Sequence, residues 1–231
     1  MNDIFELEDY EIVFFTFSIF FMKRRQLESE LSSIPAFKSP KVELEQYPTT
    51  AHLASQMIYT ADTVYGDILD ASICDLGVGC GILTCATIMM GSVHNIGIDI
   101  DMDALIQAKD NLAEFEMNKN VDLILADISS LLESSGTCMK VDTVVMNPPF
   151  GTRVAGIDMK FLQFATLIAQ KSIYSLHKTS TRAHVIKVSE SFGWKAEVVA
   201  EMKYDIKSSY KFHKKKSVDI EVDFIRFTPR T

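Results

Sequence analysis

Apolar residues in this chain change their spacing in a regular alternation. Between residues 49 and 65, Leu53, Met57, Ile58, Ala61 and Val64 recur at helical intervals and line one face. A short apolar run near 71–75 follows, then helical spacing at 82–90, a run at 95–99, a helix over 102–117 and a run at 121–126. The alternation continues with a strand at 141–146, a helix near 158–170, a strand at 171–176 and a helix near 181–192; a further amphipathic stretch at 23–34 precedes the series. Strand and helix in turn predict an open parallel sheet covered by helices on both faces. The pattern then breaks. Residues 196–205 and 217–228 both alternate at period two, with Val218, Ile220, Val222 and Phe224 against Asp219, Glu221 and Asp223, and no helix lies between them. Two strands in succession predict a closing antiparallel hairpin on a seven-stranded, Rossmann-like α/β sheet.

The 231 residues suit one domain over 22–231, preceded by an N-terminal extension of doubtful order at 1–21. Within that extension and its edge, the apolar run from Ile12 to Met22 is 11 residues long, too short for a membrane span of about 20. Its flank holds Glu6, Glu8, Asp9 and Glu11 where a secretory signal needs positive charge. Residues 1–21 therefore read as an optional extension or a gene-model artefact ahead of Met22 and the amphipathic start at Lys23.

Net charge is −8, which argues against nucleic-acid binding by bulk positive charge. One segment is different. Residues 203–216 carry six lysines and one aspartate, +5 in all, with Tyr204, Tyr210, Phe212 and His213 interleaved. The block reads either as a solvated loop or as a local nucleic-acid contact. Cys74, Cys80, Cys85 and Cys138 have no zinc-site spacing and read as reduced thiols, which fits a cytosolic or nuclear compartment.

Two motifs carry chemistry. Asp75-Leu76-Gly77-Val78-Gly79-Cys80-Gly81 follows the first strand and has the spacing G-x-G-x-G, not the G-x-G-x-x-G of dinucleotide binders. Asp99 ends the second strand, where a carboxylate accepts ribose hydroxyls, and Asp101 is placed to cap the next helix. Asp127 ends the third strand, with a side chain placed for an adenine amino group or for a helix cap, and Ile128 offers an N–H beside it. The second motif, Asn147-Pro148-Pro149-Phe150, follows the fourth strand. Adenine's amino nitrogen is a poor nucleophile because its lone pair is delocalised. The Asn147 side-chain oxygen and the Pro148 carbonyl would accept its two N–H bonds, prolines would fix the backbone, and Phe150 would offer a stacking face. The target base must then be extruded or single-stranded.

With Leu44-Glu45-Gln46-Tyr47-Pro48-Thr49, Ser175-Leu176-His177-Lys178 and the block from Ser209 to Val222 added to these motifs, the chain from Lys23 onward resembles the methyltransferase-like protein five family. That resemblance implies a class I S-adenosylmethionine-dependent methyltransferase fold, with N6-methylation of an adenosine in 18S ribosomal RNA. It implies donor contacts from Gln46, Thr49, Gly77, Cys80, Ile82, Asp99, Asp127 and Ile128, with Asn147 to Phe150 as the catalytic motif. Lys211, Lys214, Lys215 and Lys216 would meet phosphates, and Tyr210 or Phe212 would help hold the flipped base. Val78 and Ile82 depart from the residues usual in the family without altering the chemistry. The family works as a heterodimer with a small zinc-binding adaptor, and an apolar third strand at the sheet edge would give the adaptor something to cover. Nucleus, nucleolus and cytoplasm are the expected locations. Methylation of a glutamine side chain or of adenine in single-stranded DNA presents the same planar NH₂ and stays open as an alternative. A binding protein without catalysis and an oxidoreductase fit the residues less well.

Overall fold

The computed structural model describes residues 22–134, 139–207 and 217–230. The extension at 1–21, Cys138 and the expected RNA contacts Lys211, Phe212, Lys214, Lys215 and Lys216 lie outside them.

Helix α1 (Arg24–Leu31) and α2 (Ala51–Thr63) precede β1 (Ser72–Leu76), and Thr50 caps α2 by accepting from Leu53 N. There follow α3 (Ile82–Met89), β2 (His94–Asp99), α4 (Met102–Glu114), β3 (Val121–Leu125) and α5 (Ile128–Glu133). The chain continues through β4 (Val141–Met146), α6 (Ile157–Ile168), β5 (Ala169–Lys178), α7 (Arg182–Ser191), β6 (Trp194–Lys207) and β7 (Ser217–Pro229). Every predicted element forms, with ends displaced by up to three residues. Helix α5 was not expected; it is six residues long, too short for a periodic signal, and starts because Asp127 accepts from Ser129 N.

The sheet order is β3-β2-β1-β4-β5-β7-β6, with β7 antiparallel to both β5 and β6 and the other pairs parallel. Period-two alternation divides the strands between two cores. Ile73, Val145, Tyr174 and Phe224 pack with Leu27, Leu53, Met57 and Leu83 from α1 to α3. Their neighbours Cys74, Val144, Ile173, Ile225 and Phe227 pack with Leu162, Phe164, Ala165 and Val185 from α6 and α7. Fully burying each such large side chain contributes about 1.5–3 kcal/mol.

The chain reverses its direction of growth between β1 and β4. In such a sheet the crevice at the carboxyl ends of the strands, beside that reversal, is where ligands bind. Leu76 pairs with Met146, so the residues after β1 and those after β4 emerge side by side although 70 positions separate the paired strand ends. The glycine turn and Asn147 are thereby brought together.

Candidate active site

The crevice encloses a cavity of about 360 Å³. Its floor is the turn Gly77-Val78-Gly79-Cys80, with Asp99 and Ile100 on one side, Asp127 and Ile128 beyond, and Asn147, Pro149 and Phe161 opposite. A strap of chain over residues 43–49 closes the top. Gly77 and Gly79 have φ of 74° and 53°, left-handed values that favour glycine. A Cβ at Gly79 would lie 3.0 Å from the Phe37 ring. The crowding that selects glycine there includes an aromatic wall as well as room for a ligand.

The acids have distinct roles. Asp75 does not face the cavity. Its Oδ2 accepts from both the N–H and the hydroxyl of Thr84, so it caps α3 from a distance, where the cap residue Gly81 has no side chain to do so. Burial, reinforced by nearby Asp99 and partly offset by the Thr84 bonds, pushes the Asp75 carboxyl up to about 7. Asp99 accepts from Gly79 N at 2.9 Å and from Asp101 N at 2.9 Å, so one carboxylate fixes the glycine turn and the next loop together. Burial raises the Asp99 carboxyl despite those backbone donors. Asp127 lines the cavity and caps α5 by accepting from Ser129 N, so the helix-cap reading of this acid is the one the hydrogen bonds show. Asp101 caps α4 through Asp103 N and receives the Lys41 ammonium and the Gln46 amide at 2.7 Å.

Gln46 and Thr49 both line the cavity, as do Cys80 and Ile82. Burial pushes the Cys80 thiol up to about 12, so it stays a neutral wall group. The Gln46 side chain bridges Asp101 and the Lys41 N–H, which ties the strap down beside the donor acids. Glu45, next to it, was not singled out by sequence. It is 8% exposed, sits in a left-handed conformation at φ 53°, and accepts from Phe150 N at 3.1 Å and Arg153 N at 2.9 Å. The strap thus holds the backbone of the Asn-Pro-Pro-Phe turn.

Of that turn, Asn147 and Pro149 line the cavity, whereas Pro148 and Phe150 stand outside its lining. Phe150 is a correction to the simple picture of a free stacking plate: its ring meets Tyr204 edge to face at 6.0 Å, with Lys178 Nζ 5.9 Å from its centroid. It packs against the core beside the cavity instead. The Asn147 amide nitrogen donates to Thr49 Oγ1 at 2.9 Å and lies 3.4 Å from the Tyr204 hydroxyl. Its oxygen is buried and has no partner among the described residues. An orphaned buried acceptor is costly unless something donates to it in the working state.

Among the described residues the lining contains Glu43, Glu45, Asp99 and Asp127 and no Lys, Arg or His. A pyrophosphate would meet four carboxylates there with no compensating cation. A ligand bearing positive charge, a planar base and ribose hydroxyls suits the set, and the sulfonium nucleoside S-adenosylmethionine has all three. Asp99, Asp127 and Ile128 all line the cavity beside the glycine turn.

The sequence profile of the Methyltransferase small domain matches residues 52–207. The rRNA N(6)-adenosine-methyltransferase METTL5 of Danio rerio is 49% identical over 90% of this chain and 100% of its own length. The chain belongs to the METTL5 family. The Drosophila melanogaster member is 45% identical over 89% of this chain and 96% of its own. A crystal structure from Pyrococcus horikoshii, described as a candidate RNA methyltransferase, superimposes with a TM-score of 0.80 at 32% identity, covering 91% of this chain and 100% of that one. Membership in the METTL5 family makes the chain a methyltransferase of class I architecture, and the crevice between β1 and β4 is the candidate for its active site.

Proposed function

We propose that this chain transfers a methyl group from S-adenosylmethionine to the N6 amine of an adenosine in 18S ribosomal RNA, as a heterodimer with a small zinc-binding adaptor. The observation that carries the acceptor side of the reading is the Asn147 oxygen, buried at the cavity wall without a donor. S-adenosylmethionine supplies, when bound, a methyl group on a positively charged sulfur. The chain's own task is alignment, which accounts for most of the rate in an in-line displacement. Asn147 Oδ1 accepts one N–H of the target amine and the Pro148 carbonyl accepts the other. Gripped from two sides, the nitrogen becomes more pyramidal and its lone pair turns toward the cavity. The methylated amine is cationic and sheds its proton readily, so no general base is required, and among the described residues no His or Lys lines the cavity. The basic block with Lys211, Phe212, Lys214, Lys215 and Lys216 would hold the RNA strand, at work in nucleolus, nucleus and cytoplasm.

The adaptor reading is supported by the sheet edge. Strand β3 pairs on one side only, with β2, and leaves Ile124 39% and Leu125 51% exposed. Ile100, Met102 and Ile106 are about half exposed as well. An open edge flanked by apolar side chains invites strand addition. Expressed alone, the chain should melt several degrees lower and aggregate more than when co-expressed with the adaptor; equal behaviour counts against the partnership.

The function is tested by offering radioactive methyl donor with RNA, DNA and peptide in parallel. Label on RNA adenine N6, lost in Asn147→Ala while donor binding is retained, is the expected result. Label on peptide alone overturns the substrate assignment, and undiminished transfer by Asn147→Ala overturns the site.

A further inference from the structure

Asn147 serves the proposed reaction only in one of two amide orientations. With its oxygen toward the acceptor it receives an N–H; turned by 180° it presents its own NH₂ to another amine, donor against donor. Packing hardly distinguishes the two, because oxygen and NH₂ are nearly the same size. The choice must come from hydrogen-bond partners, and two lie within reach: Thr49 Oγ1 and the Tyr204 hydroxyl.

Thr49 cannot decide it. Its hydroxyl accepts from an amide nitrogen or donates to an amide oxygen equally well. Tyr204 differs, because its hydroxyl lies 3.0 Å from the Tyr47 carbonyl and 3.1 Å from the Pro48 carbonyl, both pure acceptors. A phenol has one proton, and these carbonyls claim it. What faces Asn147 is then a lone pair, which welcomes Nδ2 and repels Oδ1. Burial raises the Tyr204 phenol far above its ordinary range, so the proton is present at any assay pH. The ring itself is 1% exposed and braced edge to face on Phe150, leaving the hydroxyl little freedom to turn elsewhere.

We propose that Tyr204 is a positioning residue: by giving its proton to the strap carbonyls of Tyr47 and Pro48, it orients the Asn147 amide so that the oxygen faces the methyl acceptor. This rests on the function proposed above in requiring an N–H acceptor, though not on that acceptor being RNA. It also gives the strap a second task. The same short segment that fixes the turn's backbone through Glu45 fixes the amide through Tyr204. At 3.4 Å the contact is long for a hydrogen bond, so Tyr204 biases the amide and does not lock it.

The test is Tyr204→Phe, assayed on whichever acceptor the wild-type protein labels, with the adaptor present. An expected loss of about tenfold in kcat, equivalent to about 1.4 kcal/mol, lies within the worth of one hydrogen bond. The KM for S-adenosylmethionine should change less than about twofold on the same reasoning. The deciding measurement repeats the substitution in an Asn147→Asp background, under single-turnover conditions with enzyme in excess. Both carboxylate oxygens accept, so orientation no longer matters there, and Tyr204→Phe should have little further effect. Equal losses in the two backgrounds, or full kcat in Tyr204→Phe alone, overturn the proposal. Should Asn147→Asp be inert, the side-chain amide resonances of Asn147 decide instead: Tyr204→Phe should shift them and speed their hydrogen exchange, and unchanged resonances overturn it. Absence of label on RNA with label elsewhere removes the RNA reading and leaves this one standing.

Discussion

Glu45→Gln isolates one contact between the strap and the catalytic turn. The native carboxylate receives two backbone donors, Phe150 N on one oxygen and Arg153 N on the other. Hydrogen bonds to a charged acceptor contribute about 1.5–3 kcal/mol each. Glutamine keeps the length and one oxygen, but its NH₂ faces the second backbone N–H, so one bond is lost and a donor is left unpaired. With Glu45 only 8% exposed, water cannot readily replace it. A net loss of about 2–3 kcal/mol follows, and at about 2–4 °C per kcal/mol for a chain of this size the melting temperature should fall by about 4–12 °C. The turn is also released at the residue following Pro149, so kcat should fall about tenfold or more, since 1 Å of misplacement can cost on the order of 100-fold. Differential scanning fluorimetry and methyl transfer at saturating donor read the two effects. An unchanged melting temperature and kcat would refute the clamp; a lower melting temperature with intact kcat would reduce Glu45 to a fold contact with no part in alignment.

Three further outcomes follow from the same geometry. Because the folded Asp75 carboxyl titrates near 7, above its unfolded value of about 4, the folded state binds the proton more tightly and stability from this group falls as pH rises between those values. The melting temperature should therefore drop from pH 5 to pH 8 more steeply in the wild type than in Asp75→Asn, and parallel curves would contradict the burial argument. Gly79→Ala forces a Cβ onto a φ of 53° and to within 3.0 Å of Phe37, a cost of about 1 kcal/mol for the left-handed strain alone, so the melting temperature should fall by at least about 2–4 °C; an unaltered melting temperature would show that the turn yields freely. Leu125→Asp on the exposed edge of β3 should weaken adaptor binding in a pull-down while leaving the melting temperature of the isolated chain within about 2 °C, as surface substitutions usually shift stability by under about 0.5 kcal/mol; retained binding would move the interface elsewhere.

The sequence by itself determined the elements and most of the site's composition. Alternating strand and helix spacing, the helix-free pair of final strands, the glycine turn, Asp99, Asp127 and Asn147 were all legible, because each is a local demand: a period, a left-handed turn, an acid at a strand end. Helix α5 escaped because six residues carry no readable period. Glu45, Tyr204 and the cap formed by Asp75 escaped for a different reason, since their roles lie in partners 105, 57 and 9 positions away. Only the tertiary structure decided that the strap over 43–49 would meet the turn after β4, that Phe150 would pack edge to face on Tyr204, and that the Tyr204 phenol would lie beside the Asn147 amide. Periodicity says which face of a strand is buried; it does not say which buried polar atoms end up beside each other, and here that pairing sets a phenol 3.4 Å from an amide whose oxygen has no donor among the described residues.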